Sequence, residues 1–198
     1  MRTFPPIRRP VYYTIQMGVI LYFILMLTEL FILIGVSIYG VGLIFSSLKG
    51  APYVPTSKKE LTAVLEKGKL KKGTLFVELG SGDGRVVRQA VKDYGVMGVG
   101  IEINPLLVWW SRFLSKRDGT ARSITFLKTD VFKYSLTNVD YLYLFLMPEL
   151  LAKLIPKFKK ELKKGTLIIS HGFMLIGLEK KLIATNPSKS FSTYYYKV

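Results

Sequence analysis

From Val11 to Leu48 the chain runs 38 residues with Glu29 as its only charge. As a helix rising 1.5 Å per residue, that stretch would measure about 57 Å, against a bilayer hydrocarbon core of ~30 Å. The apolar region of a cleavable signal peptide is shorter, roughly 7–15 residues, and ends at a small-residue cleavage site. Residues 1–48 therefore read as an N-terminal membrane anchor. A single tilted span is expected, because a two-span hairpin would have to break near Thr28-Glu29, where no Gly, Pro or Asn stands. Tyr12, Tyr13 and Tyr22 near one end and Tyr39 near the other suit interfacial anchoring. Glu29 lies mid-span, where a charged carboxylate facing lipid is costly.

The rest of the chain has a different character. Mean hydropathy over all 198 residues is +0.30, yet the net charge is +16. Only +2 of that charge belongs to residues 1–48. Residues 49–198 hold 26 basic and 12 acidic residues, a net of +14. With no Cys, disulfides, thiol catalysis and Cys-based metal sites are excluded. With His171 alone, a His-ligated metal cluster is not expected either.

Residues 49–56, Lys49-Gly50-Ala51-Pro52-Tyr53-Val54-Pro55-Thr56, form a linker stiffened by two prolines. Ser57 reads as an N-cap with Glu60 closing a capping box, and the helix stops at Gly68. Apolar segments then alternate with helical ones through residues 57–198. Strands are expected at Leu75–Leu79, Val96–Ile101, Ile124–Lys128, Tyr141–Leu146 and Thr166–Ser170, with helices at Gly84–Tyr94, Pro105–Arg117 and Pro148–Leu162. A final pair, Lys181–Ala184 and Phe191–Lys197, turns at Asn186-Pro187-Ser188. This pattern predicts an α/β fold with a parallel sheet, helices on both faces and an antiparallel hairpin at one edge.

The chemistry gathers at the carboxyl ends of the strands. Strand one ends in Glu78-Leu79-Gly80-Ser81-Gly82-Asp83-Gly84-Arg85, a turn that lets backbone approach a ligand before a helix N-terminus. Glu102 ends strand two, placed to accept from two ribose hydroxyls, and Asp130 follows strand three, placed to accept from an adenine amino group. Together they describe an adenosine pocket. The dinucleotide fingerprint would need a glycine at Arg85, and Glu78 would repel a pyrophosphate while suiting an ammonium and a sulfonium.

Val77–Arg85 (VELGSGDGR), Gly98–Asn104 (GVGIEIN) and Thr129-Asp130 resemble the first three motifs of class I S-adenosylmethionine-dependent methyltransferases. With the apolar N-terminus, Ala51–Thr56 and Phe145–Leu150 (FLMPEL), the chain is similar to a small membrane-anchored family. Its mitochondrial members methylate lysines of the ATP synthase c subunit and the adenine nucleotide translocase. The resemblance implies a Rossmann-like seven-stranded sheet and S-adenosyl-L-methionine as cofactor. It implies cofactor contacts from Tyr53, Pro55 and Thr56, from Glu78, Gly80, Ser81, Gly82, Asp83 and Gly84, and from Glu102, Ile103, Asp130 and Val131. No Asn/Asp-Pro-Pro-Tyr motif follows strand four; Leu146-Met147-Pro148-Glu149 stands there.

Glu149 is the candidate catalytic residue, set to orient or deprotonate a lysine ammonium; the alternative is a first-turn acid favoured by the helix dipole. His171 either lines the acceptor slot or is a hydrogen-bonded loop histidine. Trp109 and Trp110, about 100° apart on a helix, read as core packing plus a membrane-facing ring. The lysines around Pro148–Leu162 point to an anionic leaflet ahead of nucleic acid, since no RNA-recognition module or Arg-rich tail is present. The expectation is lysine methylation of a membrane protein by a single-pass enzyme of the cell membrane, its domain on the cytoplasmic side. The lysines after the span outweigh the three N-terminal arginines in setting that orientation. A lipid or small-molecule acceptor and a non-catalytic tethered scaffold remain the other readings.

Overall fold

A computed structural model describes residues 10–48, 58–188 and 190–198. The linker, Ser57 and the three candidates Tyr53, Pro55 and Thr56 lie outside the described residues. The chain divides into two units at Val41 and Gly42. Helix α1 (Pro10–Leu48) runs unbroken through Thr28-Glu29, where the Thr28 hydroxyl donates to the Ile24 carbonyl, 2.8 Å away.

After the end of α1, the second unit runs through α2 (Lys58–Gly68), β1 (Leu75–Leu79), α3 (Arg85–Tyr94), β2 (Met97–Glu102), α4 (Pro105–Arg117) and β3 (Ile124–Lys128). It then runs through β4 (Tyr141–Leu144), α5 (Pro148–Glu161), β5 (Leu167–His171), β6 (Leu182–Asn186) and β7 (Thr193–Lys197). The seven strands lie in the order β3-β2-β1-β4-β5-β7-β6, with β7 antiparallel to both of its neighbours. The order reverses between β1 and β4, which opens a crevice at their carboxyl ends.

Period-2 alternation feeds two cores. Phe76, Tyr141, Tyr143, Ile169 and Tyr195 face one side of the sheet, packed with Leu61, Leu65, Val87 and Val108. Val77, Leu79, Leu142, Leu144, Ile168 and Tyr196 face the other, against Leu151, Leu154, Ile155 and Phe158 of α5. Helices on both faces explain why β1 and β4 are apolar almost throughout.

Strands β2 and β5 and helices α3 and α5 shift by one residue from expectation, and three larger differences have local reasons. Strand β4 stops at Leu144 because its partner in the ladder, Leu79, is the last residue before Gly80 turns away. Strand β7 begins at Thr193, opposite His171, because Phe191 leaves the ladder and packs edge-on against Phe145, ring centroids 5.1 Å apart. Strand β6 lies at Leu182–Asn186, since Glu179–Lys181 is taken up by a 3₁₀ turn. Helix α4 also departs from its reading: both tryptophans are exposed, and the sheet-facing positions are Leu107, Val108, Ser111, Leu114 and Ser115.

Candidate functional site

The turn after β1 is held against β2 by its backbone. Gly80 N–H and Ser81 N–H both donate to the Ile101 carbonyl, at 2.8 and 2.9 Å, and Gly84 N–H donates to the Ser81 carbonyl at 2.7 Å. Gly80 has φ +75°, and a Cβ there would fall 2.7 Å from Leu146 across the switch point. Helix α3 then starts from Gly84, which carries no side chain to cap it. Glu78 does that work from within β1: its Oε2 accepts from Val87 N–H, 3.1 Å away, in the first turn of α3.

Glu78 is buried on the α3 side of the sheet. Burial holds its pKa well above the usual carboxylate value, reinforced by Asp83 and Glu102 and opposed by the Val87 hydrogen bond and Arg88. The folded state therefore keeps a proton that the unfolded chain, with a carboxyl near 4.5, gives up. Stability contributed by this group is full below the unfolded value and falls as pH rises toward the folded one. Glu78→Gln keeps an oxygen for Val87 N–H and removes the titration. The variant is expected to melt progressively higher than wild type as pH is raised from 5 to 8; parallel melting curves across that range would sink this assignment.

Glu102, at the end of β2, is buried and gripped from two loops. Its Oε2 accepts from Gly82 N–H at 3.0 Å and its Oε1 from Asn104 N–H at 2.8 Å. The carboxylate ties the glycine turn to the start of α4, where Asn104 caps the helix by accepting from Leu106 N–H at 3.0 Å. Asp130 follows β3, half-buried; its Oδ1 accepts from Phe132 N–H at 2.9 Å, leaving the second oxygen for another donor. Ile103 and Val131 flank these two acids and are half-buried.

Two other residues of the turn are engaged elsewhere. Asp83 carries a fork of hydrogen bonds from Arg85, with Arg85 Nη2 at 2.8 Å, and accepts Arg85 N–H at 3.1 Å. Its carboxylate lines a cavity of about 390 Å³ with Arg88, Lys92 and Arg117, outside the crevice between β1 and β4. The Ser81 hydroxyl is buried without a hydrogen-bond partner and packs beneath Gly100. Glu149 stands exposed in the first turn of α5, with no ion pair among the described residues.

His171 ends β5 rather than lying in a loop, and it is wholly buried. Its Nδ1 shares a hydrogen bond with the Thr193 hydroxyl at 2.8 Å, and its Nε2 is 3.9 Å from Glu60 of α2. Burial lowers its pKa and the Glu60 charge opposes that shift, so the ring is neutral at pH 7. The ring packs edge-on against Phe145, centroids 4.7 Å apart. Glu60 and Thr193 were not legible as its neighbours, because they are separated from it by a helix and a hairpin that only the fold closes. Asn104 was legible within the GIEIN motif, but its backbone role toward Glu102 was not.

Comparisons with known proteins place the chain in a family. The family model described as "ANTKMT methyltransferase domain" matches residues 78–181. A protein-lysine N-methyltransferase of Saccharolobus islandicus is 33% identical over 131 residues, 66% of this chain and 81% of that one. The human lysine N-methyltransferase of the ATP synthase c subunit is 34% identical over 122 residues, 62% of this chain and 52% of that one. The chain thus spans about half the length of that relative. Among solved structures, an RNA methyltransferase of Salinibacter ruber in complex with S-adenosyl-L-homocysteine is 32% identical. It covers 73% of this chain and 94% of its own, with a TM-score of 0.70. From the glycine turn through β5, this chain belongs to the ANTKMT methyltransferase domain family.

Proposed function

We propose that the chain is an S-adenosyl-L-methionine-dependent lysine N-methyltransferase, anchored in a membrane by α1 and acting on a membrane protein. The observation that carries the cofactor reading is Glu102, oriented by Gly82 and Asn104 at the carboxyl end of β2 with Asp130 beside it. The residues present fit an adenosyl group. Gly80, at φ +75°, turns the chain tightly against Leu146 where a Cβ would clash, Glu102 has lone pairs left for two ribose hydroxyls, and the second oxygen of Asp130 accepts from the adenine amine. Ile103 and Val131 supply apolar flanks for the base, and Gly82, Gly84 and Ser81 bring backbone close to the ligand. Glu78 faces the ammonium end with an acid whose proton leaves as positive charge arrives. Asp83 acts through Arg85, holding the turn, and Tyr53, Pro55 and Thr56 are the further cofactor contacts that the family resemblance implies.

When bound, the cofactor supplies a methyl group made electrophilic by sulfonium. The chain's contribution is positioning: a neutral amine held ~3 Å from that methyl, in line with the leaving sulfur, gains most of its rate from proximity. Glu149, exposed beside the crevice, orients the incoming lysine ammonium and takes its proton. Residues Gln16–Ile38 of α1 have a mean hydropathy of 2.6 and are uncovered by other protein. At 1.5 Å per residue they span about 35 Å, enough to cross a bilayer. The lysines of α5 and beyond, with the cytosolic supply of cofactor, favour a single-pass protein with its domain on the cytoplasmic side.

Relatives named for the ATP synthase c subunit and for the adenine nucleotide translocase support a membrane-protein acceptor. The Salinibacter ruber structure supports a second reading, an RNA acceptor, given the net charge of +14 beyond the anchor. The test is calorimetric titration of the detergent-solubilised chain with S-adenosylmethionine, S-adenosylhomocysteine and NAD. Transfer of radiolabelled methyl into host membranes follows. Saturable binding of the first two and label lost on protease treatment are expected. Binding of NAD alone overturns the enzyme reading; label lost on ribonuclease treatment overturns the lysine.

A further inference from the structure

Helix α4 carries apolar side chains on its outer face as well as its inner one. The side facing the sheet buries Ser111 and Ser115, 0% and 3% exposed, between Leu107, Val108 and Leu114. The side facing solvent carries Leu106, Trp109, Trp110 and Phe113, with the two tryptophans 65% and 40% exposed and Phe113 48%. These four positions follow the i, i+3, i+4, i+7 spacing of one helical stripe. A helix packed on a soluble domain keeps its outer face polar, and a contiguous apolar patch left exposed marks an interaction surface.

The rings form a shelf. Trp110 and Phe113 lie 5.3 Å apart with planes 20° from parallel, and Trp109 and Phe113 lie 6.3 Å apart at 14°. One turn further along the same stripe come Lys116 and Arg117, both exposed, and the stripe holds no acid. Asp118, next in sequence, is committed to ion pairs with Arg88 and Arg117. Tryptophan rings with cations at their rim are the composition that enters the headgroup layer of an anionic bilayer. The same chain carries a helix long and apolar enough to cross a membrane, which keeps a bilayer within tether.

We propose that the Trp109-Trp110-Phe113 shelf docks the globular unit onto an anionic bilayer surface. The rings enter the interfacial layer, and Lys116 and Arg117 meet lipid phosphates. Helix α4 begins at Asn104, whose N–H binds Glu102. Docking by this helix therefore holds the glycine turn close to the bilayer, where lysines of membrane proteins emerge. The inference rests on the anchor assigned to α1, and not on the methyl transfer.

The chain contains two tryptophans, so its intrinsic tryptophan emission reports this shelf and nothing else. The full chain is reconstituted into phosphatidylcholine–phosphatidylserine vesicles, with and without lipids brominated high on the acyl chain. Rings lying about 5–10 Å into the interface should emit to the blue and lose about half their intensity to bromine. Phe113→Ser, and Lys116→Glu with Arg117→Glu, should each restore most of that emission while the protein still floats with the vesicles. Floating protein whose emission is unchanged by bromine overturns the docking and leaves the anchor intact. Emission that is blue-shifted but insensitive to bromine assigns the shelf to a protein partner, such as a second copy, and also overturns it. Failure to float overturns the anchor and the docking together.

Discussion

Replacing Glu102 by alanine is expected to abolish measurable cofactor binding while leaving a folded protein. A carboxylate accepting from two ribose hydroxyls makes two charge-assisted hydrogen bonds, each worth about 1.5–3 kcal/mol. Losing both weakens binding by roughly 10²–10⁴-fold at 1.4 kcal/mol per decade. The structure adds a second cost, because Gly82 N–H and Asn104 N–H lose their acceptor in a buried site. Each orphaned donor costs about 1–3 kcal/mol unless water replaces the oxygen, so the melting temperature falls as well. Glu102→Gln separates the two effects. It returns one oxygen, but its amide must turn two N–H groups toward either Gly82 or Asn104. Binding in Glu102→Gln is therefore expected to remain at least tenfold weaker than wild type even where stability recovers. Calorimetric titration of both variants with S-adenosylhomocysteine reads the outcome. An alanine variant that binds within threefold of wild type would remove Glu102 from the ligand and leave it as a loop fastener.

Much of this fold could be read from the chain because each signal was local. The strand–helix alternation, the glycine turn at Gly80–Gly84 and the acids at Glu102 and Asp130 need only spacing and position along the sheet. What escaped depends on residues that meet only after folding. Glu78 looked like a ligand for positive charge; its bond to Val87 N–H also makes it the cap that Gly84 cannot supply. Asp83 looked like part of the turn's ligand surface, yet a neighbour two residues away, Arg85, takes its carboxylate. His171 gains Thr193 and Glu60 only when β7 pairs with β5 and α2 packs against them. The orientation of α4 was missed for a different reason. Sequence periodicity gives two candidate faces, and the larger apolar one is normally the core; here small serines let the helix approach the sheet and the aromatic residues stay outside.

Gly84→Ala is expected to lower the melting temperature by about 10 °C, the largest stability effect of any single methyl in the site. The residue has φ +71°, where a Cβ is itself strained by roughly 1–2 kcal/mol. The added carbon would also lie 2.4 Å from Cε1 and Cζ of Phe126, a ring 3% exposed on β3. That ring has nowhere to retreat, because it also fills the space over Gly100, where a Cβ would fall 2.5 Å from its Cδ1. Two glycines far apart in sequence thus leave the hollow that one aromatic side chain fills. Overpacking of this kind costs about 1–3 kcal/mol, and a domain of this size loses roughly 2–4 °C per kcal/mol. Phe126→Leu removes the ring edge, so in the double variant the steric part should be relieved while the backbone part remains. A double-mutant cycle by thermal melting isolates that coupling. Additive losses would mean that the clash is absorbed elsewhere, and a Gly84→Ala protein melting within 2 °C of wild type would overturn the packing argument. The expected coupling would make Gly84 a packing residue first: its missing side chain seats Phe126 under the turn, and that seat fixes where Gly82 presents its N–H to Glu102.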